Sequence, residues 1–116
     1  MGVPEIKNYR FGEIVVDGET HSKDLIILPD RVVGGWWRES GHTLQAADLE
    51  AVFEAGPEVL VVGRGAYGRM RVPDETKRTI EEQGIKLIAH RTKEAVETYN
   101  EMRTRQAVAA ALHLTC

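Results

Sequence analysis

The chain of 116 residues fits one domain, 1–116, and its 28% charged and 42% hydrophobic side chains are typical of a folded globular protein rather than a disordered or fibrous one. The formal net charge of -3 argues against nucleic-acid binding, and no window is long and apolar enough to span a membrane. The single cysteine, Cys116, cannot form an internal disulfide, which favours a reducing, cytoplasmic location.

The first third of the chain is predicted to form a β-meander. Val-rich segments flank Asp17-Gly18, which is a hairpin signal, and the apolar run DLIIL ends at Pro29-Asp30. The next segment, RVVGGWWRESGHTL, has neither helical nor strand periodicity and is predicted to be a structured connection. If its backbone is extended, one of the adjacent Trp36 and Trp37 faces the core and the other faces solvent.

Strands and helices alternate in the rest of the chain. A helix is predicted in AADLEAVFEAG, followed by a strand at 58–62, a helix at about 73–83, a strand at 85–90, a helix at about 93–104 and a strand at 107–114. We expect Thr92 to cap the last helix. Two successive βαβ crossovers predict an α/β fold with parallel strands, in which helices cover the faces of the sheet and the N-terminal β-meander precedes βαβαβ.

The segment EVLVVGRGAYGRM places Gly63-x-Gly65-x-x-Gly68 after an apolar run, which is the glycine spacing of dinucleotide-binding loops. In those loops the third glycine opens a helix that faces the pyrophosphate, but here the best helix start is Pro73 or Asp74. The acidic residue that such loops need about 20 residues further on is also missing from 85–92. We therefore predict no dinucleotide and no other cofactor.

Two alternatives remain for the glycine segment. In one, Gly63 and Gly65 only let the chain turn sharply at the end of a buried strand. In the other, the two glycines and the neighbouring Arg64, Arg69 and Arg71 form a small-anion site, because open α/β sheets bind ligands at the carboxyl ends of parallel strands.

The connection before the first helix adds candidates to this site. Trp37, Arg38 and His42 are expected to contribute to a surface that binds a ligand or a partner protein. No catalytic residue is evident, although His42 or Cys116 is the candidate if the chain is an enzyme, since a cysteine nucleophile needs a neighbouring base. The four histidines are scattered without metal-ligand spacing, so no metal site is predicted.

Four short motifs occur in a characteristic order: WWRESGH before the first helix, VVGRG after the third strand, Tyr99-Asn100, and the closing HLTC. Over nearly its full length the chain thereby resembles the Mth-domain family of small uncharacterised proteins. That family includes the animal adipogenesis-associated Mth-domain protein and is similar to mitochondrial assembly factors of respiratory complex I. The resemblance implies a three-layer α/β fold with a mixed sheet and no established catalytic residue, substrate or cofactor. The matching positions, which exclude Gly68, are Gly63, Gly65, His42, His113, Thr115 and Cys116.

These observations favour a non-enzymatic binding or assembly module with a small-anion pocket at residues 63–71. Its partner is expected to be an unknown protein or a small anionic ligand, with neither nucleic acid nor membrane involved. The expected state is a monomer or a weak homodimer. The alternative is a small enzyme that acts on an anionic substrate at the same loop.

Overall fold

The computed structural model describes residues 3–116. Three short strands near its beginning, β1 (Ile6–Arg10), β2 (Glu13–Val16) and β3 (Glu19–His21), form an antiparallel sheet in that order. The turn between β2 and β3 has positive φ at both central residues, 51° at Asp17 and 82° at Gly18, as tight two-residue hairpins require. The predicted hairpin is confirmed.

Five further strands form the central sheet: β4 (Leu25–Leu28), β5 (Arg31–Val33), β6 (Val59–Arg64), β7 (Lys86–His90) and β8 (Val108–His113). Their spatial order is β5-β4-β8-β6-β7, with β6 parallel to β7 and β8, and β4 antiparallel to β5 and β8. The predicted mixed sheet is confirmed. Two details differ from the sequence prediction, because β4 joins this sheet instead of the meander and part of the predicted connection forms the edge strand β5.

The helices lie on both faces of the central sheet. A 3₁₀ turn (Ala46–Leu49) leads into α1 (Glu50–Ala55), which ends at Gly56 in the left-handed conformation predicted for a glycine cap. α2 (Asp74–Glu82) connects β6 to β7, and α3 (Thr92–Met102) connects β7 to β8. Because β7 and β8 flank β6 on opposite sides, crossovers of the same hand place α2 and α3 on opposite faces. None of the described helices has the length and apolar character needed to cross a membrane.

Alternating side chains of the central strands pack into two apolar cores, one on each face of the sheet. The sheet and the elements that cover its two faces form the predicted three layers. One core joins the sheet to α3 and the small sheet, and includes Ile14, Ile27, Val61, Tyr99 and Leu112. The other joins the opposite face to α1 and α2, and includes Ile26, Val52, Val62, Ile80 and Ala111.

Thr92 does not cap α3 as the sequence predicted. Arg91 occupies the N-cap position, and Thr92 is the first helical residue. The fully buried Thr92 hydroxyl donates to the His113 carbonyl oxygen at 2.6 Å and accepts from the Gly65 amide at 2.9 Å. Its oxygen is therefore engaged with the ends of β6 and β8, and it ties the start of α3 to the edge of the sheet.

Candidate functional site

The carboxyl ends of β6, β7 and β8 meet at one edge of the central sheet. The chain leaves β6 toward α2 on one face of the sheet and leaves the neighbouring β7 toward α3 on the other face. In open α/β sheets, ligands bind in the crevice formed where adjacent connections diverge in this way. The crevice between β6 and β7 is the corresponding place in this protein.

A cavity of about 570 Å³ lies at this crevice, between the two strands and the start of α2. Its size is in the range of pockets that bind small molecules. Three cationic side chains and one carboxylate line the cavity, so the net charge of its lining is positive. The lining residues are Arg64, Arg71, Val72, Pro73, Asp74, Lys77 and Ala89.

Two of the three cations project from well-anchored positions. The half-buried Arg64 ends β6, and its Nε donates to the Met70 carbonyl oxygen at 2.7 Å, which orients the guanidinium. The backbone of Arg71 is held on both sides, since its amide donates to the His42 carbonyl oxygen at 2.8 Å and its carbonyl oxygen accepts from the Leu44 amide at 2.9 Å. Anchored groups lose less conformational entropy when a ligand binds.

The start of α2 forms one wall of the cavity. Pro73 is the N-cap, as one of the two predicted helix starts, and it makes no side-chain capping bond. The first-turn amides of a helix lack intrahelical partners and attract anions, although the acidic Asp74 and Glu75 weaken that attraction here. Because residues 69–73 separate Gly68 from α2, the third glycine does not open the helix as in a dinucleotide-binding loop.

Gly63 lies inside a strand rather than in a loop. β6 extends to Arg64, beyond the predicted end at residue 62, and Gly63 is buried within it. A Cβ at this position would lie 2.9 Å from side-chain atoms of both Leu112 and Thr92. Its φ is not positive, so this glycine is explained by the close approach of β8 and α3 and not by a turn.

Gly65 is the residue that turns the chain. Its φ is +103°, and a Cβ would lie 2.6 Å from the backbone oxygen of Cys116. The amides of Ala66 and Arg69 donate to the backbone oxygens of Thr115 and Cys116 at 2.6 and 3.2 Å. The glycine segment therefore binds the backbone of residues 115–116 of the same chain. The neighbouring cavity is lined by Arg64 and Arg71 and not by the glycines.

A buried polar network lies beside the cavity on the same edge. Leu25 of β4 pairs with Leu112 of β8, which brings the preceding Asp24 next to His113. Asp24 Oδ2 accepts from Arg38 at 2.8 Å and lies 2.7 Å from His113 Nδ1, while its Oδ1 accepts from the Leu114 amide at 2.8 Å. The side chains of Arg38, His113 and Asp24 are only 5%, 8% and 17% exposed.

The network keeps Asp24 ionised. Burial by itself would raise the pKa of the Asp24 carboxyl group, but hydrogen bonds from His113, Leu114 and Arg38 outweigh it and lower this pKa below its ordinary value. Arg38 also donates to the Gly41 carbonyl oxygen at 2.8 Å, and its guanidinium lies 4.8 Å from the centre of the Trp36 ring. The ion pair thereby fixes the connection between β5 and α1 to the sheet edge.

The structure separates the predicted site residues into several places. Arg64 and Arg71 share the cavity, whereas Arg38 is buried in the network and Trp37 is 75% exposed. Exposed Arg69 lies outside the cavity lining, with its guanidinium 6.0 Å from the Tyr67 ring. His42 is exposed, with its ring centre 6.0 Å from that of His113. Cys116 is half-buried.

Sequence reasoning missed two residues of this edge. Lys77 belongs to the charged DETKR segment, which is typical of a solvated helix face. The sequence indicates a role for it only in that it lies one helical turn after the loop that contains Arg71. Asp24 carries only the signal of an acidic residue next to an apolar strand, because its partner His113 is 89 residues away. No local pattern joins such distant residues.

Comparison with known proteins shows the family. Residues 6–113 match the family described as "Protein of unknown function (DUF498/DUF598)". A conserved hypothetical protein of Pyrococcus horikoshii is 28% identical, with 97% of this chain and 99% of that chain covered and a TM-score of 0.83. A Bordetella parapertussis protein is 26% identical over 98% of both chains, with a TM-score of 0.84.

A Mth938-like domain of Bordetella pertussis, 21% identical over 96% of this chain and 85% of that one, has the same fold with a TM-score of 0.71. The resemblance to Mth-domain proteins is thus confirmed, together with the α/β fold class that it implied. The chain belongs to the DUF498/DUF598 family of proteins of unknown function.

Proposed function

We propose that this protein is a binding module that holds a small anionic ligand in the cavity between β6, β7 and α2. The observation that carries the proposal is the convergence of Arg64, Arg71 and Lys77 on one cavity at the diverging edge of the sheet. Composition supports a cytoplasmic setting for this module, because the chain has a single cysteine, as is usual in a reducing compartment.

The lining suits a phosphate or carboxylate group attached to a small organic body. Guanidinium groups bind such oxyanions through paired, charge-assisted hydrogen bonds, and Lys77 adds a point charge from the first turns of α2. Asp74 lines the same cavity and offers an acceptor for a hydroxyl or amine on the ligand. A cavity of about 570 Å³ has room for more than the bare anion.

Thermal unfolding in inorganic phosphate tests the proposal, with potassium chloride at matched ionic strength as the reference. A ligand that binds only the folded state stabilises it, by about 2.7 kcal/mol when its concentration is one hundred times Kd. We expect phosphate to raise the Tm of the unmodified protein and to raise that of Arg64→Ala and Arg71→Ala much less.

Arg69→Ala is the matched control, because Arg69 belongs to the same segment but lies outside the cavity lining. It should keep the full response to phosphate. Phosphate also stabilises proteins generally by exclusion from their surfaces, and that effect is the same for all variants. An equal rise in Tm in all four proteins would therefore contradict an anion site at Arg64 and Arg71.

A further inference from the structure

The hydrogen bonds of Asp24 determine which ring nitrogen of His113 carries a proton. Asp24 is a carboxylate and can only accept, so the contact of 2.7 Å between Oδ2 and His113 Nδ1 requires a proton on Nδ1. The Arg38 guanidinium, whose terminal nitrogen is 3.2 Å from the same Nδ1, cannot donate to a nitrogen that already bears a proton. In the neutral ring the free lone pair is therefore on Nε2.

That lone pair has no partner among residues 3–116. His113 Nε2 is buried and makes no hydrogen bond within the described chain, although the rest of the ring is firmly held. A buried polar nitrogen without a partner costs free energy, and such groups in native proteins commonly mark a site for water or an ion. The unpartnered atom is a ring nitrogen whose opposite side is oriented by a carboxylate, which is the usual arrangement of a metal-binding histidine.

A second imidazole lies within the range of distances over which two rings can share one ion. A metal ion about 2.1 Å from a coordinating nitrogen is roughly 3.2 Å from the ring centre, so two rings that share one ion have centres roughly 5 to 6.4 Å apart. The ring centres of His42 and His113 are 6.0 Å apart, with the rings inclined at 72°. His42 is exposed to solvent, and its carbonyl oxygen accepts from the Arg71 amide, which fixes its backbone beside the buried His113.

We propose that His113 and His42 form a two-imidazole site for a borderline transition-metal ion of the Zn²⁺ class, with Asp24 as the positioning residue for His113. Imidazole nitrogens suit zinc and copper better than magnesium or calcium, which prefer oxygen. The described residues contain no group of three or more His, Cys, Asp or Glu side chains that could hold a metal. The ion therefore keeps its other coordination positions for water or for an added ligand.

Calorimetric titration of the unmodified protein with zinc chloride tests the site. We expect one Zn²⁺ per chain, and a loss of at least about tenfold in affinity for both His42→Ala and His113→Asn. The asparagine amide can replace Nδ1 as donor to Asp24, so this variant removes Nε2 while the network is kept. His90→Ala removes another exposed histidine, at the end of β7, and should bind as the unmodified protein does.

Long-range ¹H–¹⁵N NMR of the histidine rings provides a measurement that does not depend on the His113 variant folding. The metal-free protein should show His113 protonated on Nδ1, and Zn²⁺ should shift the Nε2 resonances of His113. Binding that is lost in His42→Ala but retained in His113→Asn would show an adventitious surface ion and overturn the proposal. So would a His113 ring protonated on Nε2, or the absence of zinc binding to the unmodified protein.

Discussion

Replacing Thr92 by valine tests whether one hydroxyl group holds the carboxyl edge of the sheet together. Valine has nearly the same shape, but it can neither donate to the His113 carbonyl oxygen nor accept from the Gly65 amide. Thr92 is fully buried, so water cannot replace these two bonds. The substitution leaves two buried groups unpaired, and since each unpaired buried group costs roughly 1–3 kcal/mol, we expect the free energy of unfolding to fall by about 2–6 kcal/mol.

Thr92→Ser is the matched control, because it keeps the hydroxyl and removes one methyl group, at a cost of about 1 kcal/mol. The free energy of unfolding of both variants is measured by urea unfolding, monitored by tryptophan fluorescence. The two values can be compared if the free energy depends on urea concentration with the same slope in both. If Thr92→Val proves as stable as Thr92→Ser, the hydroxyl does not bridge β6, β8 and α3, and packing alone holds this edge.

The remaining predictions concern the glycine turn and the buried ion pair. Gly65→Ala should destabilise the protein strongly in urea unfolding, because the φ of Gly65 is +103° and the new Cβ would lie 2.6 Å from the Cys116 backbone oxygen. In the control Gly41→Ala the new Cβ has no heavy atom within 4 Å, so stability should change by less than about 1 kcal/mol. Because folding lowers the pKa of Asp24, its contribution to stability is complete above the ordinary value of 3.8 and is lost as the pH falls through the lower folded-state pKa. Unfolding measured between pH 6 and pH 2 should thus show a loss of stability at acid pH that is smaller in Asp24→Asn, and identical pH profiles would refute this role.

The glycine spacing that resembles a dinucleotide-binding loop has two separate physical causes in this fold. Gly63 is required because Leu112 and Thr92 approach β6 too closely for any side chain, and Gly65 because the chain turns with positive φ against the 115–116 backbone. The cause at Gly63 is invisible in the sequence, since its neighbours come from β8 and α3, whereas a turn at Gly65 was one of the two alternatives that the sequence offered. The sequence prediction that this loop binds no dinucleotide rested on the position of the helix start and on the absence of an acidic residue from 85–92, and both are local features of the sequence.

Local patterns were sufficient for most of the secondary structure. The Asp17-Gly18 hairpin, the Gly56 helix end and the alternation from β6 to β8 depend on turn chemistry and on hydrophobic period within a few residues. The parallel strands also followed, because two βαβ crossovers require them, and the mixed sheet was implied by the family resemblance. The strand β5 was missed, since three residues are too few for a period to be recognised.

The candidate site was only half predictable, because a local pattern identifies only residues that lie close together in the sequence. Arg64 and Arg71 could be assigned to the carboxyl end of a parallel strand from the sequence, because that position follows from the strand and helix boundaries. The pairing of Asp24 with His113 depends on β4 lying antiparallel beside β8, and the two residues are 89 positions apart. The strand order is selected by the packing of both apolar cores at once, so no segment contains it, and only the tertiary structure decides which polar side chains meet at the edge of the sheet.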